Sequence, residues 1–334
     1  MPGITQDFQK GMLVTGYDYM METYDTIEEV WPRYMAEQTV DGDNWESTTV
    51  INVGNFRKTG ETEGFQPQKI GEGFTVYARV FDYTQAIALT KNVVADHQKL
   101  TNFIKDIAGS WGIQAKETRE EFYARPFNKG GLTAGDWIFN GTSGSGRSDP
   151  SGDGAYDGTA AAIMPWFNLS GNTRLSKGGA SYYNAHALAL TPDNLKTILT
   201  HMVGTNNRRE NDTRMRLDPD CIVYPTDLDM AVREILNSTL APYLSTNTTN
   251  VLSGILEPIK NPFFDDTDAF FIGHKPKGNT KAGQRGLVAL TREEPVFDFF
   301  QDKLSRCWWA TAEMRIGFTM NNWRFWTASQ VSQA

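Results

Sequence analysis

Between residues 92 and 124, Val93, His97, Leu100, Ile104, Ile107, Trp111, Ala115, Thr118 and Phe122 recur at alternating steps of four and three. A stripe of this kind lies along one side of an α-helix. Continuous over 92–124, the helix is roughly 50 Å long at 1.5 Å per residue, and Gly109 and Gly112 are the points where it can bend. So long a one-sided helix is a spine against which a sheet packs. The chain therefore reads as α+β.

The flanking segments supply the strands. Residues 1–50 are mixed, with an amphipathic helix predicted near TIEEVWPRYM and broken by Pro32. Residues 50–90 read as a strand, glycine-rich turns and a long strand from Phe74. Within them, 54–73 carries five glycines and almost no apolar side chains. A two-stranded ribbon of that composition is marginal in water; it lies against a neighbouring copy of the chain or hangs as a mobile hairpin on its own. Beyond a loop region at 129–190, Thr191-Pro192 opens a helix whose inner face is Leu195, Ile198, Leu199 and Met202. DCIVYP at 220–225 is a buried strand, and Thr226 is expected to cap a helix bearing Leu228, Val232, Ile235 and Leu236. STNTTN at 245–250 is a loop, and strands follow around VLSGILEPI and DAFFIGH. From Trp308 to Phe318 apolar and polar residues alternate as in a half-buried strand, with a turn at Asn321-Asn322. There is no internal repeat.

One motif hints at chemistry. GTSGSGRS at 141–148 differs from the phosphate-loop pattern by one letter, Arg147 standing in place of lysine. That loop needs a helix directly behind it, and SDPSGDGAYDG cannot start one. Arginine's planar fork is also a poor replacement for a compact ammonium. Asp149, Asp153 and Asp157 are spaced by four, where a calcium hand needs two, and Ala160 stands where its bidentate glutamate belongs. His97, His186, His201 and His274 show no metal-ligand spacing, and there is no G-x-S-x-G elbow. Asp265–Asp266 and Glu293–Glu294 are adjacent, so a strand turns each pair to opposite faces. No catalytic set emerges, and neither a cofactor nor a metal is expected.

Composition narrows the remaining classes. Lys and Arg total 32 against 40 Asp and Glu, a net charge of −8, which argues against a dedicated DNA reader. The nearest basic cluster, NNRREND at 206–212, carries its own acids. Cys221 and Cys307 read as reduced core residues. The stretch MPGITQDFQKGMLV lacks a signal pattern, and AAAIMPWF is too short to span a bilayer, so a soluble protein in a cytoplasm-like compartment is expected. Nine tryptophans either fill two cores or mark contacts between chains.

Four stretches, in this order, resemble the major capsid protein of tailed bacteriophages: YARVFDYTQAIALTKNVVADH at 77–97, MRLDPDCIVYPTDLDMAVREILNS at 215–238, NTTNVLSGILEPIKNPFFDDTDAFFIG at 247–273 and EMRIGFTMNNWRFWTAS at 313–329. They are most similar to the Mu-type head protein group with the Hong Kong 97-type fold. The resemblance implies an N-terminal arm at 1–50 and an extended β-hairpin loop at 51–88 that lies over an adjacent subunit. It further implies a peripheral domain at 89–189 with the spine helix and a glycine-rich insert, an axial α/β domain at 190–300, and C-terminal strands at 301–334 returning to the peripheral domain. Subunit contacts are then expected at Phe56, Arg57, Lys58, Phe65, Lys69, Tyr77 and Arg79. The implied partners are further copies of the chain in pentamers and hexamers, a portal, a scaffold or decoration protein, and double-stranded DNA enclosed without sequence-specific binding. The implied location is the virion, after assembly in the host cytoplasm. A nucleotide-binding or hydrolytic enzyme using 141–148 is the competing reading, and a decoration or tail protein is a third.

Overall fold

The computed structural model describes residues 2–51, 71–90, 100–131, 166–171, 173–176, 179–209, 212–240, 249–278, 285–302, 307–320 and 322–331. Two five-stranded sheets carry the chain, joined through the C-terminal end of one long helix. The first sheet has the order β1-β10-β11-β3-β2, from Ala36–Thr39 (β1), Asn44–Ile51 (β2), Gly71–Leu89 (β3), Leu287–Gln301 (β10) and Trp308–Met320 (β11). The second has the order β6-β12-β9-β7-β8, from Ala185–His186 (β6), Cys221–Tyr224 (β7), Glu257–Lys260 (β8), Phe270–Gly273 (β9) and Trp326–Ser329 (β12). A small pair, Arg174–Leu175 (β4) and Ser181–Tyr182 (β5), stands apart. Residues 287–300 thus belong to the first sheet and 326–329 to the second.

Among the described residues the helices are Pro2–Thr26 (α1), Leu100–Asn128 (α2), Pro192–Gly204 (α3) and Asp229–Asn237 (α4). Helix α2 is the expected spine. Of its stripe, Ile104, Trp111 and Phe122 are buried and Ile107, Ala115 and Thr118 half-buried; Val93 and His97 lie outside the described residues. The helix ends at Asn128 and not at 124. Pro126 lacks the N–H that would close a helical bond, yet the last turn persists because Phe127 is locked in place. The Phe127 ring meets Tyr34, Phe264, Phe271 and Trp326 at centroid distances of 4.8 to 5.4 Å. One turn earlier, Phe122 packs on Phe81, Tyr83 and Phe318 of the first sheet. The C-terminal end of the spine is therefore buried on two sides, one per sheet, and a single stripe understates it.

Gly112 is not a bend. It is where α1 crosses: a Cβ there would stand 2.3 Å from Thr23 Oγ1 and 2.4 Å from the Met20 carbonyl oxygen. Across the same crossing, the Thr23 hydroxyl donates to the Gly109 carbonyl at 3.0 Å. The helix expected near TIEEVWPRYM is also displaced. Residues 27–30 are bends and coil leading into a 3₁₀ turn at Trp31–Arg33, and the helix precedes them as α1.

The second sheet follows strand parity. Ile222, Tyr224, Phe270 and Ile272 face Leu195, Ile198 and Met202 of α3 and Val232, Ile235 and Leu236 of α4. Cys221, Val223 and Phe271 point the other way, into the core around Phe127 and Trp326. Thr191 caps α3 as expected, its side chain accepting from the Asn194 N–H at 3.2 Å. Thr226 does not cap α4: it opens a 3₁₀ turn at Thr226–Leu228, and α4 begins at Asp229 without a side-chain cap. Strand β3 starts at Gly71, three residues before Phe74, and VLSG is a turn preceding β8. Cys221 is buried, whereas Cys307 is only half-buried, and the two are not joined in a disulfide. Trp31, Trp45, Trp111, Trp166, Trp308, Trp323 and Trp326 are all buried within the one chain, so these rings fill its own cores and are not contact residues held in reserve.

Candidate assembly surface

Strand β3 is 19 residues long, about 60 Å at roughly 3.3 Å per residue. Its second half, Val80–Leu89, pairs antiparallel with β11. Among the described residues its first half has only β2 as a strand neighbour, in a register running from Asn44↔Arg79 to Ile51↔Gly71. A two-stranded ribbon therefore leaves the sheet where pairing with β11 stops, at Gly317↔Val80, and runs on for about 26 Å. Of the expected contact residues, Phe56, Arg57, Lys58, Phe65 and Lys69 lie outside the described residues. Tyr77 and Arg79 belong to the ribbon backbone, opposite Glu46 and Asn44.

The base of the ribbon is pinned on both strands. Trp45, opposite Ala78, is buried with Ala36, Val40, Val288 and Leu290. Asp43 pairs with Arg292 of β10. Asp82 takes a two-pronged grip from Arg315 of β11, with Nε on one oxygen and Nη2 on the other, the latter at 3.1 Å. That grip holds the Asp82 carboxyl below its ordinary range. The two ion pairs escaped sequence reading because each joins residues hundreds of positions apart; the only hint was the polar face of β11.

A second constellation ties α1, α2 and β10 together. Arg119, 3% exposed, reaches Glu294 at 2.9 Å, Glu29 at 3.3 Å and the Tyr24 hydroxyl. Lys116 adds a bond to Glu29 at 3.1 Å. Burial alone would lower the Arg119 pKa, but Tyr24, Tyr123, Glu29 and Glu294 around it raise it overall. Beside it, Glu120 accepts the N–H groups of Val30 and Trp31. Burial pushes its carboxyl from 4.5 up to about 7, against those two hydrogen bonds. The local sequence, KETREEF, looks like a solvated helix face and gave no sign of this junction.

Little here resembles chemistry. Among the described residues no three His, Cys, Asp or Glu side chains converge to hold a metal ion. His186 and His201 meet edge to face at 4.9 Å, and burial, then His201, brings His186 down to about 4. His274 is buried and bonds the Phe325 carbonyl at 3.0 Å. A groove between α2 and the first sheet, bounded by Met20, Tyr83, Trp111 and Met314, has a volume of about 110 Å³, below the roughly 300–1,000 Å³ of small-molecule sites. The phosphate-loop-like stretch 141–148 and the aspartates behind it lie outside the described residues.

No family model matches the chain, and no curated protein matches it. Among solved structures it is similar to the asymmetric unit of the bacteriophage PhiM1 mature capsid, with a TM-score of 0.52 at 7% identity over 92% of this chain and 88% of that one. The capsid of an empty GTA particle gives 0.47 at 12% identity over 91% and 89%. A virus-like particle from Pyrococcus furiosus gives 0.46 at 8% over 95% and 98%. Identity this low leaves only the path of the backbone in common, and along that path the chain has the Hong Kong 97-type capsid fold.

Proposed function

We propose that this chain is the major structural subunit of a phage-type icosahedral shell enclosing double-stranded DNA. The observation that carries the reading is the ribbon: half of β3 and all of β2 leave their own sheet in a form that is marginal when unsupported. In this reading residues 1–50 form the arm and 51–88 the loop that lies on a neighbour, with Phe56, Arg57, Lys58, Phe65, Lys69, Tyr77 and Arg79 at the contact. Residues 89–189 form the peripheral domain and 190–300 the axial one, of which 287–300 run in the first sheet, and the strands after 301 close the chain. Membership of the Mu-type group is part of the same proposal and rests on the four sequence stretches. So do the pentamers and hexamers, the portal, scaffold and decoration partners, assembly in a host cytoplasm and the absence of enzymatic activity. Individually weak contacts repeated around a closed shell supply its stability through avidity.

Electron microscopy of the purified full chain tests the reading. Closed particles tens of nanometres across are expected, both for the native chain and for Arg147→Ala. A monomer or small oligomer under all assembly conditions refutes it. Loss of nucleotide affinity on Arg147→Ala would favour the enzyme instead.

A further inference from the structure

Two of the four histidines meet in space although fifteen positions separate them in the chain, a distance at which no ligand spacing is legible. His186 ends β6 at the edge of the second sheet, and His201 lies in the last turn of α3. Their ring centroids are 4.9 Å apart and their planes stand at 87°. Tyr183 touches both rings, stacked on His201 at 4.3 Å and tilted against His186 at 5.5 Å. Two imidazoles bound to one tetrahedral ion through bonds of about 2.0–2.1 Å have their centroids about 5 Å apart. The observed separation already matches that value.

The nitrogen atoms are unused. Among the described residues His186 Nε2 and both ring nitrogens of His201 are buried without a hydrogen-bond partner. Burying a polar atom in this way is unfavourable, and an ion or an ordered water is what ordinarily relieves it. Asn206 brings a further donor to the same place. It is 1% exposed, its N–H bonds the His201 carbonyl at 3.1 Å, and its Nδ2 donates to the Tyr183 carbonyl at 2.6 Å. Its Oδ1 is buried and, among the described residues, also lacks a partner. Burial lowers both imidazole pKa values, and His201 lowers that of His186 further, to about 4. Each ring is therefore neutral at pH 7 and offers a lone pair without first losing a proton. An uncharged set of nitrogen and amide oxygen suits a borderline first-row ion better than Mg²⁺ or Ca²⁺.

We propose that His186, His201 and Asn206 form a binding site for a divalent transition ion of the Zn²⁺ class, with the two imidazoles as its principal ligands. Both histidines are half-buried, not sealed in the core. A bound ion ties the end of α3 to the edge of the second sheet. The site stands independently of the shell reading.

The test is calorimetric titration of the full untagged chain, first stripped with EDTA, with Zn²⁺ and separately with Mg²⁺. Uptake of one Zn²⁺ per chain is expected, with no Mg²⁺ uptake at the same concentrations. Loss of a mere outer-shell partner weakens metal binding by about tenfold to a hundredfold, so His201→Asn and His186→Gln should each weaken Zn²⁺ binding by at least about tenfold. Zn²⁺ should also raise the thermal midpoint of the native chain and leave that of both variants unchanged. Co²⁺ in place of Zn²⁺ reads the native chain directly, so the answer does not depend on whether a variant folds: the strong visible bands of tetrahedral Co²⁺ are expected. A native chain that takes up no Zn²⁺ overturns the proposal and leaves the cluster to ordered water. Native affinity in either variant, or a Co²⁺ complex showing only the weak bands of six-coordination, overturns it as well.

Discussion

Glu120→Gln isolates the electrostatic cost of the junction between α1 and α2. In the native chain Glu120 is 5% exposed, one oxygen accepts from two backbone N–H groups, and among the described residues the other oxygen has no partner. Burial raises its pKa from 4.5 to about 7, with Glu29 adding to the rise. The folded state therefore holds this proton more tightly than the unfolded one. Its contribution is fully present below about pH 4.5 and is lost as pH rises through about 7. At about 1.4 kcal/mol per pKa unit, the gap between 4.5 and about 7 costs the folded chain about 3 kcal/mol above neutrality. Glutamine keeps the accepting oxygen and removes the charge. Urea unfolding of the unassembled chain, followed by tryptophan fluorescence at constant ionic strength, reads the difference. From about pH 5 to about pH 8 the native chain should lose about 2–3 kcal/mol more than the variant, which should be the more stable of the two at the alkaline end. Parallel stability curves over that range, or a variant that is weaker at about pH 8, would refute the reasoning.

Three other substitutions probe the packing. Phe127→Ala removes a ring packed on Phe271 and Trp326 of the second sheet and should cost about 3–5 kcal/mol in denaturant unfolding. Gly112→Ala drives a methyl group into Thr23 and the Met20 carbonyl, so α1 must back away; a loss of about 1–3 kcal/mol is expected, with faster amide exchange in α1. Thr191→Ala deletes the α3 cap and should cost about 1 kcal/mol, seen as a modest drop in the thermal midpoint.

The sequence was most legible where burial follows one simple period. The alternation through β11 and the stripe on α2 both announce a single apolar face, and the structure uses those faces. Helix α1 was missed for a physical reason. Its buried positions are Met12, Gly16, Met20 and Tyr24, a step of four in which one contact is a glycine lying against the Phe297 ring. A glycine reads as a gap in an apolar pattern, so the stripe dissolves. The double burial at Phe122 and Phe127 was hidden because it depends on two sheets assembled from distant strands. The glycine-rich stretch 54–73 lies mostly outside the described residues, and the ribbon's anchors Trp45, Asp43–Arg292 and Asp82–Arg315 exist only once the strands are paired. Of the two readings of the tryptophans, core filling holds for Trp31, Trp166, Trp323 and Trp326, which sit where two sheets and a helix end meet.

One unbroken strand runs from the ribbon into the body of the first sheet. A tug on the outer end of β3 is carried along its own backbone to ten opposed residue pairs shared with β11. The pull lies along the strand, so those rungs are loaded together in shear and do not peel one after another. The projection is thus built as a tie-rod, able to pass tension into the protomer without unravelling at its root.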